Sequence, residues 1–117
     1  MQAVWVEIPA QDIERAAKFY QSVFGLPTGE IVDDGTRRTV TFANGEQGAG
    51  ISLNQTADFP SSATGPLVYL SGAADSLERV EASGGKILQP KTSMGESGFY
   101  ALVLDSEGNQ LALYFPA

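Results

Sequence analysis

Along the first quarter of the chain the apolar positions change period. In VWVEIP, Val4, Val6 and Ile8 alternate with Trp5 and Glu7, the two-residue rhythm of a strand with one face on a core. Pro9 has no N–H to give a ladder and is expected to end the strand. From Ile13 the spacing turns helical: Ile13, Ala16, Ala17, Tyr20, Val23 and Phe24 form one stripe, opened by Asp12 as an N-cap and closed by Gly25 as a left-handed stop. Three shorter runs with turn signals between them, EIVDDG, RRTVTFANG and GAGISLNQ, read as strands.

Residues 56–65, TADFPSSATG, carry no periodicity and read as a polar linker. The order of elements then repeats. PLVYLS predicts a strand, and Asp75 with Glu78 predicts a capping box ahead of Leu77 and Val80. Gly84-Gly85 is expected to stop that helix, and GKILQP, FYALVLD and NQLALYFP supply three strands, the last two joined by a turn at SEGN. The sequence thus predicts two βαβββ modules in one domain over 1–117, residues 1–55 and 66–117, with Asp12 and Asp75 opening equivalent helices 63 residues apart.

Composition narrows the partners. The chain has 117 residues, 43% of them apolar, enough for one sizeable core. A net charge of −7 repels phosphate backbones and anionic headgroups, so neither nucleic acid nor a membrane surface is an expected partner. MQAVWVEIP lacks the basic start and apolar core of a signal peptide, and no run approaches the roughly 20 apolar residues of a membrane helix, so a cytoplasmic location is expected. The chain contains no Cys and no His, which removes thiolate chemistry, the usual neutral-pH acid/base group and the commonest transition-metal ligand. A serine triad is excluded with it, and GEQGAG lies between strands and does not open a helix, so it is not a phosphate cradle.

EIPAQDIERAAKFYQSVFG, the helix ending ASGGKIL, and LDSEGNQLALY together resemble the vicinal oxygen chelate superfamily, which includes glyoxalase I, bleomycin-resistance proteins and extradiol dioxygenases. The resemblance spans the whole chain. It implies an α+β fold in which the two βαβββ modules form a curved, cup-shaped mixed sheet, with helices on the convex side and a ligand site on the concave side. It also implies a homodimer. Metal-using members place His and Glu on the first and last strands of each module. Here those positions fall on Trp5, on Ser52 or Asn54, on Gly65 or Leu67, and on Ala112. None of these is a usual ligand, so no cofactor is expected, and no divalent metal.

Strand parity gives the same lining independently of the family. If Val4, Val6 and Ile8 face the helices, Trp5 and Glu7 face the cup, and the same alternation sends Ser52, Asn54, Tyr69, Ala112 and Tyr114 there. These seven residues are the expected ligand-binding set. Trp5 would stack on a flat ligand, and Glu7, the one clear carboxylate, would be a recognition group or a general base with a pKa raised by apolar walls. Of Arg37 and Arg38, adjacent on a strand, at most one can enter the cup, and both are expected to be mostly solvated. Gly95 and Gly98 mark either a mobile lid or an ordinary hairpin connection. The expected function is binding of a small, partly aromatic or apolar molecule without metal. The alternative is a lyase- or dioxygenase-type enzyme, metal-dependent through non-standard ligands or metal-free with Glu7 as base.

Overall fold

A computed structural model describes residues 1–117. Strand β1, Trp5–Pro9, leads into helix α1, Ile13–Phe24, and then into β2, Val32–Asp33, β3, Arg38–Ala43, and β4, Gly50–Gln55. The second half runs β5, Tyr69–Ser71, α2, Ser76–Arg79, a 3-10 turn at Glu81–Ser83, then β6, Lys86–Ser93, β7, Phe99–Leu104, and β8, Gln110–Phe115. Each half makes a four-stranded mixed sheet of the same topology, β1-β4-β3-β2 and β5-β8-β7-β6. In both, the first strand pairs parallel with the last and the remaining neighbours are antiparallel. This is the α+β fold expected from the two βαβββ units. No helix is long and apolar enough to cross a membrane.

The elements form for the reasons legible in the chain. Asp12 is extended at φ −133° and its carboxylate accepts the Arg15 N–H at 3.1 Å, while Gly25 closes the helix at φ 65°. The apolar stripe of α1 is sequestered up to its last turn: Ile13, Ala16, Phe19, Tyr20 and Val23 are each 2% exposed or less, and Phe24 is partly buried. It packs on Ile8, Val40 and Leu53 from the first sheet, and one continuous core extends through Val80 at the end of α2 to Val103, Leu111 and Leu113 in the second sheet. Burial of this kind contributes about 25 cal/mol per Å² of apolar surface.

Three local expectations are corrected. Val4 lies outside β1 and is 73% exposed, because only Val6 and Ile8 reach the core side. The second helix is a single α-turn prolonged by a 3-10 turn, and the Asp75–Glu78 capping box does not form. Asp75 sits at φ −99°, ψ 9°, outside the extended region an N-cap needs, and its carboxylate takes Arg79 Nη1 at 2.6 Å instead. Arg79 in turn donates to Ser22 O and Val23 O, covering orphan carbonyls at the C-terminal end of α1. The runs EIVDDG and PLVYLS pair over only Val32–Asp33 and Tyr69–Ser71. Of the two readings of Gly95 and Gly98, the structure has the hairpin connection, joining β6 to β7: Met94 N–H donates to Gly98 O, and a Cβ on Gly98 would stand 2.4 Å from Phe115 O.

Candidate functional site

Two polar constructions organise the molecule. The first joins the halves. Tyr20 on α1 donates its phenol to Asp105 Oδ2 at 2.6 Å, across 85 residues of chain. Asp105 is 3% exposed and is filled from every side, by the Glu107 and Asn109 N–H groups on Oδ1 and by Asn109 Nδ2 on the oxygen that Tyr20 also uses. Glu107, from the same β7–β8 turn, accepts the Gln11 and Asp12 N–H groups at the start of α1 and both Nε and Nη2 of Arg15. A carboxylate at a helix N-terminus also meets the positive end of the helix dipole. Burial pushes the Glu107 carboxyl up, but the Arg15, Asp12 and Ser106 hydrogen bonds outweigh it and leave its pKa below the ordinary value. Burial, and after it the neighbouring Asp105 charge, holds the Tyr20 phenol well above its usual pKa.

The second construction covers the face of the first sheet turned away from α1. Register sets Ser52 between Glu7 and Thr41, and Asn54 between Pro9 and Thr39. Trp5 pairs with Gly50, and its ring lies so close that a Cβ there would sit 2.3 Å from the indole. The indole N–H donates to Ser52 Oγ at 3.1 Å, and Asn54 Nδ2 donates to the same oxygen at 3.0 Å. Asn54 Oδ1 accepts from Thr39 and from Arg37 Nη1, and Arg37 Nη1 also reaches Glu7 Oε2 at 2.8 Å. An unbroken chain of hydrogen bonds therefore runs Trp5, Ser52, Asn54, Arg37, Glu7. It leaves Ser52 and Asn54 2% and 1% exposed.

The seven expected residues are thus divided. Trp5, Glu7, Ser52 and Asn54 come together through Arg37. Tyr69, Ala112 and Tyr114 sit on the second sheet, where Tyr69 pairs with Ala112 and is 50% exposed, Ala112 is fully buried, and the Tyr114 phenol donates to Ser97 O at 2.8 Å. The Glu7 carboxylate is not enclosed by apolar walls alone: it is half-exposed and meets a guanidinium. Arg37 is not simply solvated but turned onto this face, held there by the Asp34 carboxylate, which accepts the Arg37 and Thr36 N–H groups. Those two bonds, the Arg37 N–H first, draw the Asp34 pKa below its ordinary value. Arg38, of opposite parity, pairs with Glu14 on the helix side.

Only Glu7 and Tyr69 of the expected set line a cleft. Glu7 belongs to one of about 250 Å³ between the facing edges of the two sheets, walled by Val6 and Ile8 on one side and Val68, Leu70 and Leu111 on the other. The linker closes over it with Phe59 and Pro60. Tyr69 belongs to a second apolar cleft of about 280 Å³, with Phe24, Phe42 and Ile51. Tyr20 and Leu70 line both. The edge-lining residues were not singled out in the sequence, because alternation assigns Val6, Ile8 and Leu70 to a core; the one available signal was an aromatic, Phe59, inside a polar linker.

A divalent metal does not fit these groups. No three His, Cys, Asp or Glu side chains lie near enough to share an ion. The place between Glu7 and Asn54 already holds the guanidinium cation of Arg37, and indole and methyl groups occupy the Trp5 and Ala112 positions.

Comparison with known proteins agrees with this architecture. The sequence model of the Glyoxalase/Bleomycin resistance protein/Dioxygenase superfamily matches residues 2–113. A glyoxylase-like domain-containing protein of Didymella fabae is 30% identical over 115 residues, 92% of this chain and 88% of its own. A glyoxylase/bleomycin resistance protein/dioxygenase domain from Frankia sp. EAN1pec superposes with a TM-score of 0.74 at 15% identity, over 100% of this chain and 98% of that one. A glyoxalase-related enzyme from Fulvimarina pelagi gives 0.71 at 18% identity, over 98% and 88%. Glyoxalase I from Zea mays gives 0.72 at 22% identity, over 94% of this chain but only 44% of its own length. At these identities the solved structures speak for the fold alone, and it is the family match across nearly the whole chain that decides: the protein belongs to the glyoxalase/bleomycin resistance protein/dioxygenase superfamily.

Proposed function

We propose that this protein binds a small, partly aromatic or apolar molecule, without metal, in the cleft between its two sheets. One observation carries the proposal: Val6, Ile8, Val68, Leu70 and Leu111 face each other across about 250 Å³ of space while Trp5, Ser52 and Asn54 on the neighbouring polar face are engaged with one another. Small-molecule sites are concave, mostly apolar and furnished with a few polar groups, and Glu7 at the wall is such a group. Trp5, Ser52 and Asn54 act in this reading as the scaffold that positions Arg37 and Glu7. Tyr69, with Ala112 beside it on β8, offers an aromatic face to the second opening, and Tyr114 anchors the β6–β7 connection. The enzyme alternative, with Glu7 as general base, has less support because its carboxylate is engaged with Arg37.

Fluorescence titration with a neutral flat probe, N-phenylnaphthylamine, tests the proposal. Saturable binding at micromolar concentration that is lost in Val68→Phe, which fills the cleft, is expected. No saturable binding below millimolar probe, or binding indifferent to Val68→Phe, would rule the cleft out. We place the protein in the cytoplasm as a homodimer. The exposure of Trp5, Leu67 and Tyr69, 45%, 38% and 50%, is apolar surface that a partner would cover. Light scattering that returns a monomer mass would remove the dimer from the proposal.

A further inference from the structure

The apolar cleft ends on charge. Glu7 lines it, and Arg37, whose guanidinium Glu7 holds at 2.8 Å, lines a further, polar cleft of about 560 Å³. Phe59 and Pro60 line both, so the Glu7–Arg37 pair stands where the two spaces adjoin.

We propose that Glu7 is a placeholder: the bound molecule carries an anionic head, a carboxylate or a similar planar oxyanion, which displaces Glu7 from Arg37 while its apolar body lies between the sheets. The inference rests on the proposed apolar-binding role and adds the ligand's chemical class to it. Three features of the site support it. Arg37 uses only Nη1, for Glu7 and Asn54, which leaves Nη2 and Nε, the other arms of a fork that matches a carboxylate, without a protein partner. Both members of the pair are about two-fifths exposed, 41% for Arg37 and 43% for Glu7, and ion pairs in that setting are weak and exchange readily.

The frame behind the guanidinium, in contrast, is built in. Asn54, 1% exposed, turns its oxygen to Arg37, which can only donate, so its amide nitrogen must face Ser52. Ser52 then receives hydrogen bonds from both Trp5 and Asn54, and its own O–H remains as a donor beside Glu7. Asp33 also lines the polar cleft, with Oδ1 turned back to Gly35 N–H, and Arg38 lines it while paired to Glu14. In a chain of net charge −7, a guanidinium with two unengaged nitrogens is the local exception that admits an anion.

The test compares 2-naphthoate with 2-naphthamide, equal in shape and different in charge, by calorimetric titration of the wild type, Arg37→Met and Glu7→Gln. The wild type should favour the carboxylate by about tenfold or more, as hydrogen bonds to charged groups do. Arg37→Met should bring the carboxylate down to the affinity of the amide, and Glu7→Gln, which removes the competitor, should tighten the carboxylate alone. Equal binding of both probes by the wild type, or a carboxylate preference that survives Arg37→Met, overturns the anion inference and leaves the cleft in place. Binding of neither probe overturns the cleft, and the inference with it.

Discussion

Replacing Tyr20 with Phe removes one oxygen and keeps the ring. The ring packs edge-on against Phe19 at 5.1 Å and stacks on Phe24 at 5.8 Å, so the apolar contribution survives. What is lost is the 2.6 Å donation to Asp105, a carboxylate 3% exposed whose Oδ2 would retain Asn109 Nδ2 alone. A hydrogen bond to a buried charged acceptor is worth about 1.5–3 kcal/mol. For a domain of this size that is a fall in Tm of roughly 5–15 °C. The pH profile carries a second signature. Because the folded phenol titrates well above its ordinary value, its contribution is complete below the unfolded pKa near 10 and declines as pH rises through the alkaline range. The wild type should therefore lose about 1.4 kcal/mol of its advantage over the variant by pH 11. Urea titrations of both proteins at pH 8 and pH 11 measure this directly, since the other tyrosines are common to both. A cost under about 0.5 kcal/mol at pH 8, or a gap unchanged at pH 11, would refute the claim that the Tyr20–Asp105 bond holds the halves together.

Glu107→Gln should cost about 1–3 kcal/mol at neutral pH. Its folded carboxyl titrates below the ordinary value, so its stabilisation is present above about pH 4.3 and is lost as pH falls through the folded pKa; the gap to wild type in urea titrations should close on acidification. Gly50→Ala should push the indole off β4, since the new Cβ would stand 2.3 Å from it. Trp5 is the single tryptophan, so a red-shifted emission spectrum reads the displacement without interference, and an unchanged spectrum would contradict the seat described for it.

The order of elements carried the two βαβββ modules and the superfamily; beyond that, what could be read from the chain was local. Asp12, Gly25 and the alternation of Val6 and Ile8 with Trp5 and Glu7 are decided by neighbours within a turn or a strand, and they stand as expected. The second helix was misread because a capping box depends on an extended Asp75 backbone, and the turn before it places that residue elsewhere. The divided site escaped for a different reason. Parity tells which face Ser52 and Asn54 occupy but not what lies over them, and the answers come from Trp5, 47 residues away, and from Arg37 in a turn ahead of β3. The hydrogen bonds that join the halves link residues 85 to 100 apart, from Tyr20–Asp105 to Pro9–Asn109. Strands at a sheet edge expose part of their core-facing side chains to the gap beside them, which alternation alone cannot reveal.

The most direct measurement is a methyl NMR spectrum of the protein titrated with 2-naphthoate, recorded with chelator and again with added zinc. Shifts confined to Val6, Ile8, Val68, Leu70 and Leu111, identical under both conditions, are the expected outcome. A stoichiometric zinc ion seated at Glu7 and Asn54, with Arg37 displaced and the edge methyls silent, would contradict it.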